Sequence, residues 1–329
     1  MKQRNWKHFF INLALIVAVF VVIQVLISTK SISGYAADLI KLICINMILT
    51  LSLNVATGFL GELCLGHAGF MAVGAYTSAL ITMRSGLPIA FSFPISLIAG
   101  ALMSALFGLI IGIPALRLNG DYLAIITLAF GEIISILLRT LPFTGGALGL
   151  NGIELVTNFP YAYWTFILTL VLIITFMFSR HGRAILSIRE DVIASEASGV
   201  NTFKYKMIAF VMSAMFAGLA GGLFAHYQGV LAPEKFDYNY SINIMVMVVF
   251  GGMGSVTGSI LAAVLLTLLP ELLRGFSQYR MLIYALLLVL LMIFRPEGMF
   301  GRKEISYRVF RRFGKAKNQT VTASEDEVA

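Results

Sequence analysis

Apolar residues fill this chain in runs long enough to cross a lipid bilayer, separated by short polar or Pro/Gly punctuation. The runs centre near Val19, Ile48, Val73, Ala105, Thr127, Leu170, Met215, Leu265 and Leu288. A helix needs about 20 predominantly apolar residues to span the hydrocarbon core, and over such runs it satisfies its own backbone hydrogen bonds. The pattern predicts an all-α polytopic transmembrane bundle of about 8 to 10 spans. Two stretches break the rule with glycine. Residues 241–274 exceed one ordinary span and are interrupted by Gly251-Gly252-Met253-Gly254-Ser255. A first half that enters from outside and turns back there keeps both basic ends of the chain on one side. The comparable interruption runs from Gly58 to Gly69 and reads either as a second buried break or as a loop joining two spans. Non-helical backbone at membrane depth needs protein or a water-filled cavity to satisfy it. Paired Gly-interrupted segments in the two halves of a chain point to a solute path between them. The candidate pathway residues are therefore Asn54, Glu62, Gly66, His67 and Gly69 at the first break, and Gly251, Gly252 and Gly254 at the second.

One polar island, Arg180 to Lys206, interrupts the apolar runs. Within it Arg189, Glu190, Asp191 and Glu196 surround Ile185, Ile188 and Val192, whose i, i+3, i+7 spacing places one short apolar stripe on a helix. Gly199 stands where that helix should end. Such an element reads as a cytoplasmic docking surface. The run that follows carries Ser213, Ala217, Gly221 and Ala225 at four-residue spacing, and an earlier run carries Gly100, Ser104, Gly108 and Gly112. Lines of small residues let helix backbones approach closely in lipid.

Composition confirms the environment. With 59% hydrophobic and 12% charged residues over 329 positions, the chain lies far from the soluble norm of about 25% charged. It reads as one polytopic membrane domain, residues 1–301 with the island at 180–206, followed by a basic tail at 302–329. The net charge of +8 collects at the amino terminus, the island and that tail, where basic flanks mark the cytoplasmic side, so both termini are expected inside the cell and nucleic acid is excluded as a partner. The first run, Phe9 to about Ser28, exceeds the roughly 7 to 15 residues of a signal-peptide core, which makes it a retained span; Tyr35-Ala36-Ala37 is the alternative reading as a cleavage site.

Chemistry-bearing residues are few. Glu132 sits mid-run, where an ionised carboxylate must face the bundle interior or water. It is either a pathway residue or a carboxylate held by a neighbouring helix. Cys44 and Cys64 read as packing residues, and His8, His67, His181 and His226 are too scattered for a metal site. The sequence carries no catalytic elbow and no G-x-x-x-x-G-K-[ST] phosphate loop. An enzyme is not expected, and energy has to arrive through a partner chain or an ion gradient.

An ordered series of motifs carries a resemblance: Ser52-Leu53-Asn54, Gly66-His67-Ala68-Gly69-Phe70, Leu116-Arg117-Leu118-Asn119-Gly120-Asp121-Tyr122 and Thr127-Leu128-Ala129-Phe130-Gly131-Glu132. Ile188-Arg189-Glu190-Asp191, Ala217-Gly218-Leu219-Ala220-Gly221, Gly251-Gly252-Met253-Gly254-Ser255 and Arg295-Pro296-Glu297-Gly298 continue it. From about residue 40 to residue 301 the chain resembles the permease subunits of branched-chain amino acid ABC importers, specifically the M-type subunit of the high-affinity leucine/isoleucine/valine system. The resemblance implies a second homologous permease, two ATPase subunits that use ATP, and an extracytoplasmic solute-binding protein as partners, with no cofactor on this chain. It makes the island a coupling helix for an ATPase, with Arg189, Glu190, Asp191 and Glu196 polar, Ile188 and Val192 packing, and Gly199 closing it. Urea or short amides are the alternative solutes, and an ion-coupled transporter working alone is the rival class.

Overall fold

The computed structural model describes residues 6–30, 32–118, 120–273, 282, 285, 286, 289, 298 and 299. The apolar run centred near Leu288 lies almost wholly outside them, as do Arg295-Pro296-Glu297 and the tail at 302–329.

The described chain is a helical membrane bundle, with α1 at Trp6–Ser28 and α2 at Gly34–Asn54, which widens into a π-turn at Val55–Phe59. Next come α3 (His67–Arg84), α4 (Ile89–Ala115), α5 (Asp121–Thr140) and α6 (Phe159–Met177). The island forms α7 (Arg180–Glu190) and α8 (Val192–Ala197), and α9 (Thr202–Gln228), α10 (Tyr238–Gly251) and α11 (Val256–Leu272) complete the set. Among the described residues, five helical segments are long and apolar enough to cross a membrane: Gly34–Phe59, Ile89–Ala115, Asp121–Thr140, Phe159–Met177 and Thr202–Gln228.

Starts of helices are written in the sequence. Ser33, Ser179, Asn201, Asp237 and Ser255 each accept a hydrogen bond from a first-turn amide of the helix that follows, which satisfies donors that have no intrahelical partner.

The centre of the bundle is α3, α4 and α9 packed backbone to backbone. A Cβ at Gly74 would collide with the Gly218 backbone, and one at Gly100 would lie 2.7 Å from the Gly74 carbonyl oxygen. Ser104 Oγ donates to the Phe70 carbonyl at 2.8 Å. Both small-residue lines of the sequence thus sit at helix contacts, where dispersion and close approach replace the hydrophobic driving force that lipid cannot supply. Around this core α2 packs on α9 and α11, and α1 docks on α6 through Phe20, stacked 5.8 Å from Phe159, with Tyr163 Oη donating to the Ile16 carbonyl at 2.8 Å.

At the end of the bundle away from the island, Leu150–Asn151 and Val230–Leu231 pair as a short antiparallel ladder. It ties the glycine-rich segment before α6 to the segment after α9. Because α6 runs about 28 Å from that segment to the island at 1.5 Å per residue, the two lie at opposite ends of the molecule, as the alternation of runs implies.

Candidate functional site

Both glycine breaks are largely enclosed, with Gly61 and Met253 exposed, and they meet. After the π-turn the chain runs without helix from Leu60 to Gly66, and α3 begins inside the bundle, with His67 fully buried. Side chains of other helices satisfy the freed backbone. Thr127 Oγ1 accepts from the Leu65 amide at 3.1 Å, and Ser241 Oγ accepts from the Ala68 amide at 2.9 Å. This is the buried alternative of the two that the sequence leaves open for this segment.

The second break reverses the chain between two short helices. With 14 residues, α10 rises only about 21 Å, short of the roughly 30 Å hydrocarbon core. Gly252 to Ser255 then turns the chain into α11, which packs back along α10 and α2. Asn54 joins the two breaks: its Oδ1 accepts from the Gly254 amide at 2.9 Å and its Nδ2 donates to the Ser255 carbonyl at 3.1 Å. Gly58 faces Gly254 so closely that a Cβ there would strike the Gly254 amide nitrogen. Gly298 also arrives here; its Cβ would lie 2.6 Å from Gly252 Cα, and the Met299 amide donates to the Phe250 carbonyl at 2.8 Å.

Other candidate residues fall into different roles. Gly66 and Gly69 let α3 meet α5; a Cβ on Gly69 would lie 2.9 Å from Gly131 Cα. Gly251 lies against Gly258, closing the α10–α11 hairpin. Ser52 Oγ lies 2.7 Å from the Leu49 carbonyl oxygen, to which it donates, and 2.7 Å from His67 Nε2, with which it shares a buried hydrogen bond. His67 Nδ1 has no partner among the described residues. Glu62 is held by Lys206 Nζ at 2.6 Å, both side chains largely buried. Lys206 escapes a sequence reading because it lies among the island's basic residues, yet its first turn of α9 carries it inward to 8% exposure.

Glu132 is half-buried on α5 and forms no hydrogen bond or ion pair with the described residues. The neighbouring-helix partner that one reading of the sequence requires is therefore not among them. Glu132→Gln is expected to fold and to retain more uptake than Glu132→Leu, because the amide keeps the hydrogen-bonding capacity of the half-buried side chain. Equal uptake by the two variants, measured at matched membrane levels, would remove Glu132 from the pathway.

In the island the structure corrects the expected single helix. Asp191 takes an extended conformation (φ −157°, ψ 115°) and accepts from the Ala194 amide at 3.0 Å, so it ends α7 and caps α8. The stripe splits accordingly. Ile185 and Ile188 are buried against the bundle, whereas Val192 is 39% exposed and Ile193, which the periodicity passes over, is 80% exposed. Glu196 Oε1 accepts from Thr202 Oγ1 at 2.6 Å, tying α8 to the start of α9, and Gly199 follows α8 with φ +83°. Glu190 is exposed at the end of α7. Arg189 turns inward toward the glycine breaks: a Cβ on Gly61 would lie 3.2 Å from its Cγ, and one on Gly254 2.6 Å from its Nη1.

A family model described as "Branched-chain amino acid transport system / permease component" matches residues 35–294, which takes in both breaks and the island. The chain belongs to this family. It is 39% identical over 303 residues to the high-affinity branched-chain amino acid transport system permease protein LivM of Escherichia coli (strain K12), covering 82% of this chain and 70% of that one. The permease is 29% identical over 154 residues to the LivH permease protein of the same organism, covering 46% of this chain and 50% of that one. A probable branched-chain amino acid transport permease protein LivM of Methanocaldococcus jannaschii is 23% identical over 313 residues, covering 78% and 91%. No solved structure matches the permease.

Proposed function

We infer that this chain is the transmembrane permease subunit of an ATP-driven importer that moves branched-chain, apolar amino acids across the cytoplasmic membrane. The observation that carries the reading is the match of residues 35–294 to the permease component of branched-chain amino acid transport. Relatives named both LivM and LivH support pairing with a second, homologous permease. Residues 1–301 form the permease domain in this reading, the termini and island are cytoplasmic, and the solute passes beside the joined glycine breaks. Two ATPase subunits supply ATP hydrolysis and an extracytoplasmic binding protein delivers the solute.

In this reading α8 is the surface that docks in an ATPase. Its exposed Val192 and Ile193, with Glu190 alongside, offer an apolar knob with a charged rim, the arrangement that concentrates binding energy at interfaces. Asp191 and Glu196 shape the knob, and Ile185 and Ile188 fasten it to the bundle. Nucleotide-driven closure of the ATPases then moves α8 as a rigid piece, and the small-residue contacts between α3, α4 and α9 let helices shift without opening voids.

Uptake of labelled leucine into proteoliposomes tests the whole reading. It is expected to require ATP and the ATPase subunits; uptake that persists without them and collapses with the proton gradient would overturn the proposal. Competition by urea or a short amide, with no effect of excess leucine, would reassign the solute. Ile193→Asp is expected to weaken copurification of the ATPase subunits by about thirtyfold, the equivalent of a 2 kcal/mol interface anchor. Undiminished copurification would show that α8 is not the docking surface.

A further inference from the structure

We propose that Arg189 and Lys206 act as a two-point clasp that holds the first glycine break shut against the second, so that motion of α8 reaches the pathway through these two side chains. This rests on the reading of α8 as the docking element and adds the linkage by which its motion is delivered.

The exposed knob is flanked on both sides by a cation that points away from solvent. Arg189 stands two residues before α7 gives way to α8, and Lys206 lies one turn into α9. Their grips are adjacent in sequence. The Arg189 stem covers Gly61, while Lys206 Nζ holds the carboxylate of the next residue, Glu62, at 2.6 Å. Whatever moves the island therefore pulls on residues 61 and 62 together.

Arg189 alone also spans to the second break. Beyond Gly61 its guanidinium lies over Gly254, where the Gly58 carbonyl oxygen is the other near neighbour, 3.3 Å from a Cβ built at Gly254. Gly61 and Gly254 both have positive φ, +86° and +88°, a conformation that favours residues without a side chain. At Gly254 a side chain would overlap the Arg189 guanidinium, and at Gly61, which is exposed, it would press on the arginine stem. The guanidinium can bond carbonyl groups of a broken segment with several donors in one plane, which a lysine in its place could not reproduce.

The mechanical consequence is specific. With α8 at rest, Arg189 and Asn54 together pin the two breaks; with α8 displaced, the arginine leaves Gly254 and only Asn54 remains. Arg189 and Lys206 are positioning residues in this scheme, since neither is assigned contact with solute.

Cys64 is a native reporter of the clasp. It lies in the first break two residues from Glu62, is 1% exposed, and is one of two cysteines in the chain. In a Cys44→Ala background it is the sole thiol of this chain, whose labelling is read on its own band. The full chain, in nanodiscs with the subunits that copurify with it, is treated with maleimide in the absence of nucleotide. Slow labelling is expected for the parent. Arg189→Met, which keeps the stem over Gly61 but removes the guanidinium from Gly254, is expected to label Cys64 about tenfold faster, because reaction of a buried thiol follows the population of the opened segment. Arg189→Lys should fall between the two. ATPase copurification should be unchanged in Arg189→Met, and more ATP should be hydrolysed per solute imported.

Cys64 protected in Arg189→Met as well as in the parent would overturn the clasp. So would equal labelling rates in Arg189→Met and Arg189→Lys, which would show that the cation holds nothing. Failure of the docking reading is seen separately, in Ile193→Asp, and leaves these labelling rates unaffected.

Discussion

Lys206→Met should lower the stability of the folded permease by about 3 kcal/mol, because it strands the Glu62 carboxylate in a largely buried site beside the first glycine break. The cost comes from the abandoned charge, not from the lost attraction. Two buried charges give up much of their mutual Coulomb energy to desolvation, so removing both at once is far cheaper than removing one. The double variant Lys206→Met/Glu62→Leu is accordingly expected to recover most of the loss. The fraction of monodisperse protein surviving a graded heat step in detergent reads this directly, and the double-variant cycle isolates the pair. A single variant as stable as the double would mean that water or another group already compensates Glu62.

Gly74→Ala is expected to be among the damaging single-methyl changes in the bundle, because it strikes a contact of three helices. The new Cβ would fall on the Gly218 backbone of α9, and Gly100 of α4 approaches Gly74 from another side. A backbone cannot rotate out of the way as a side chain can, so α3, α4 or α9 must separate. Overpacking costs about 1 to 3 kcal/mol and occasionally more, which exceeds the gain of up to about 1 kcal/mol in helix propensity from Gly to Ala. Gly34→Ala is the matched control, since nothing lies within 4 Å of a Cβ there. Reduced recovery of folded protein for Gly74→Ala alone is the expected result. Equal recovery of the two variants would show that the three-helix contact is looser than its geometry indicates.

Much of the architecture is legible residue by residue. Four-residue lines of Gly, Ser and Ala announced the contacts of α4 and α9, because in lipid only small residues let backbones touch. The hairpin of α10 and α11 follows from a run too long for one span with glycines in its middle. The island also stood out, but its internal shape did not. Periodicity gives one helix through Ile185, Ile188 and Val192, whereas Asp191 is a stronger cap than a helix interior residue and starts a new helix there. That switch buries Ile188 and exposes Ile193.

The candidate site divides the same way. Asn54, Glu62 and the glycines of both breaks stand out as polar or flexible groups in apolar surroundings, and Arg189 as one charge among several in the polar island. Their partners do not. Asn54 meets Gly254 and Ser255, Lys206 meets Glu62, and Arg189 lies over Gly61 and Gly254. Each of these pairings joins residues far apart in the chain.

Hydrophobic run length, small-residue spacing and glycine placement are local properties tied to the bilayer and to helix geometry, so the residue order alone declares a helical membrane bundle with one interrupted segment, a second glycine-rich stretch and a polar island. Which interruption touches which, and which cation turns inward from the island, depends on how α2, α7, α9 and α11 converge. Those contacts span up to 201 residues of sequence, and no local periodicity encodes a partner at that separation. Only the packed structure decides them.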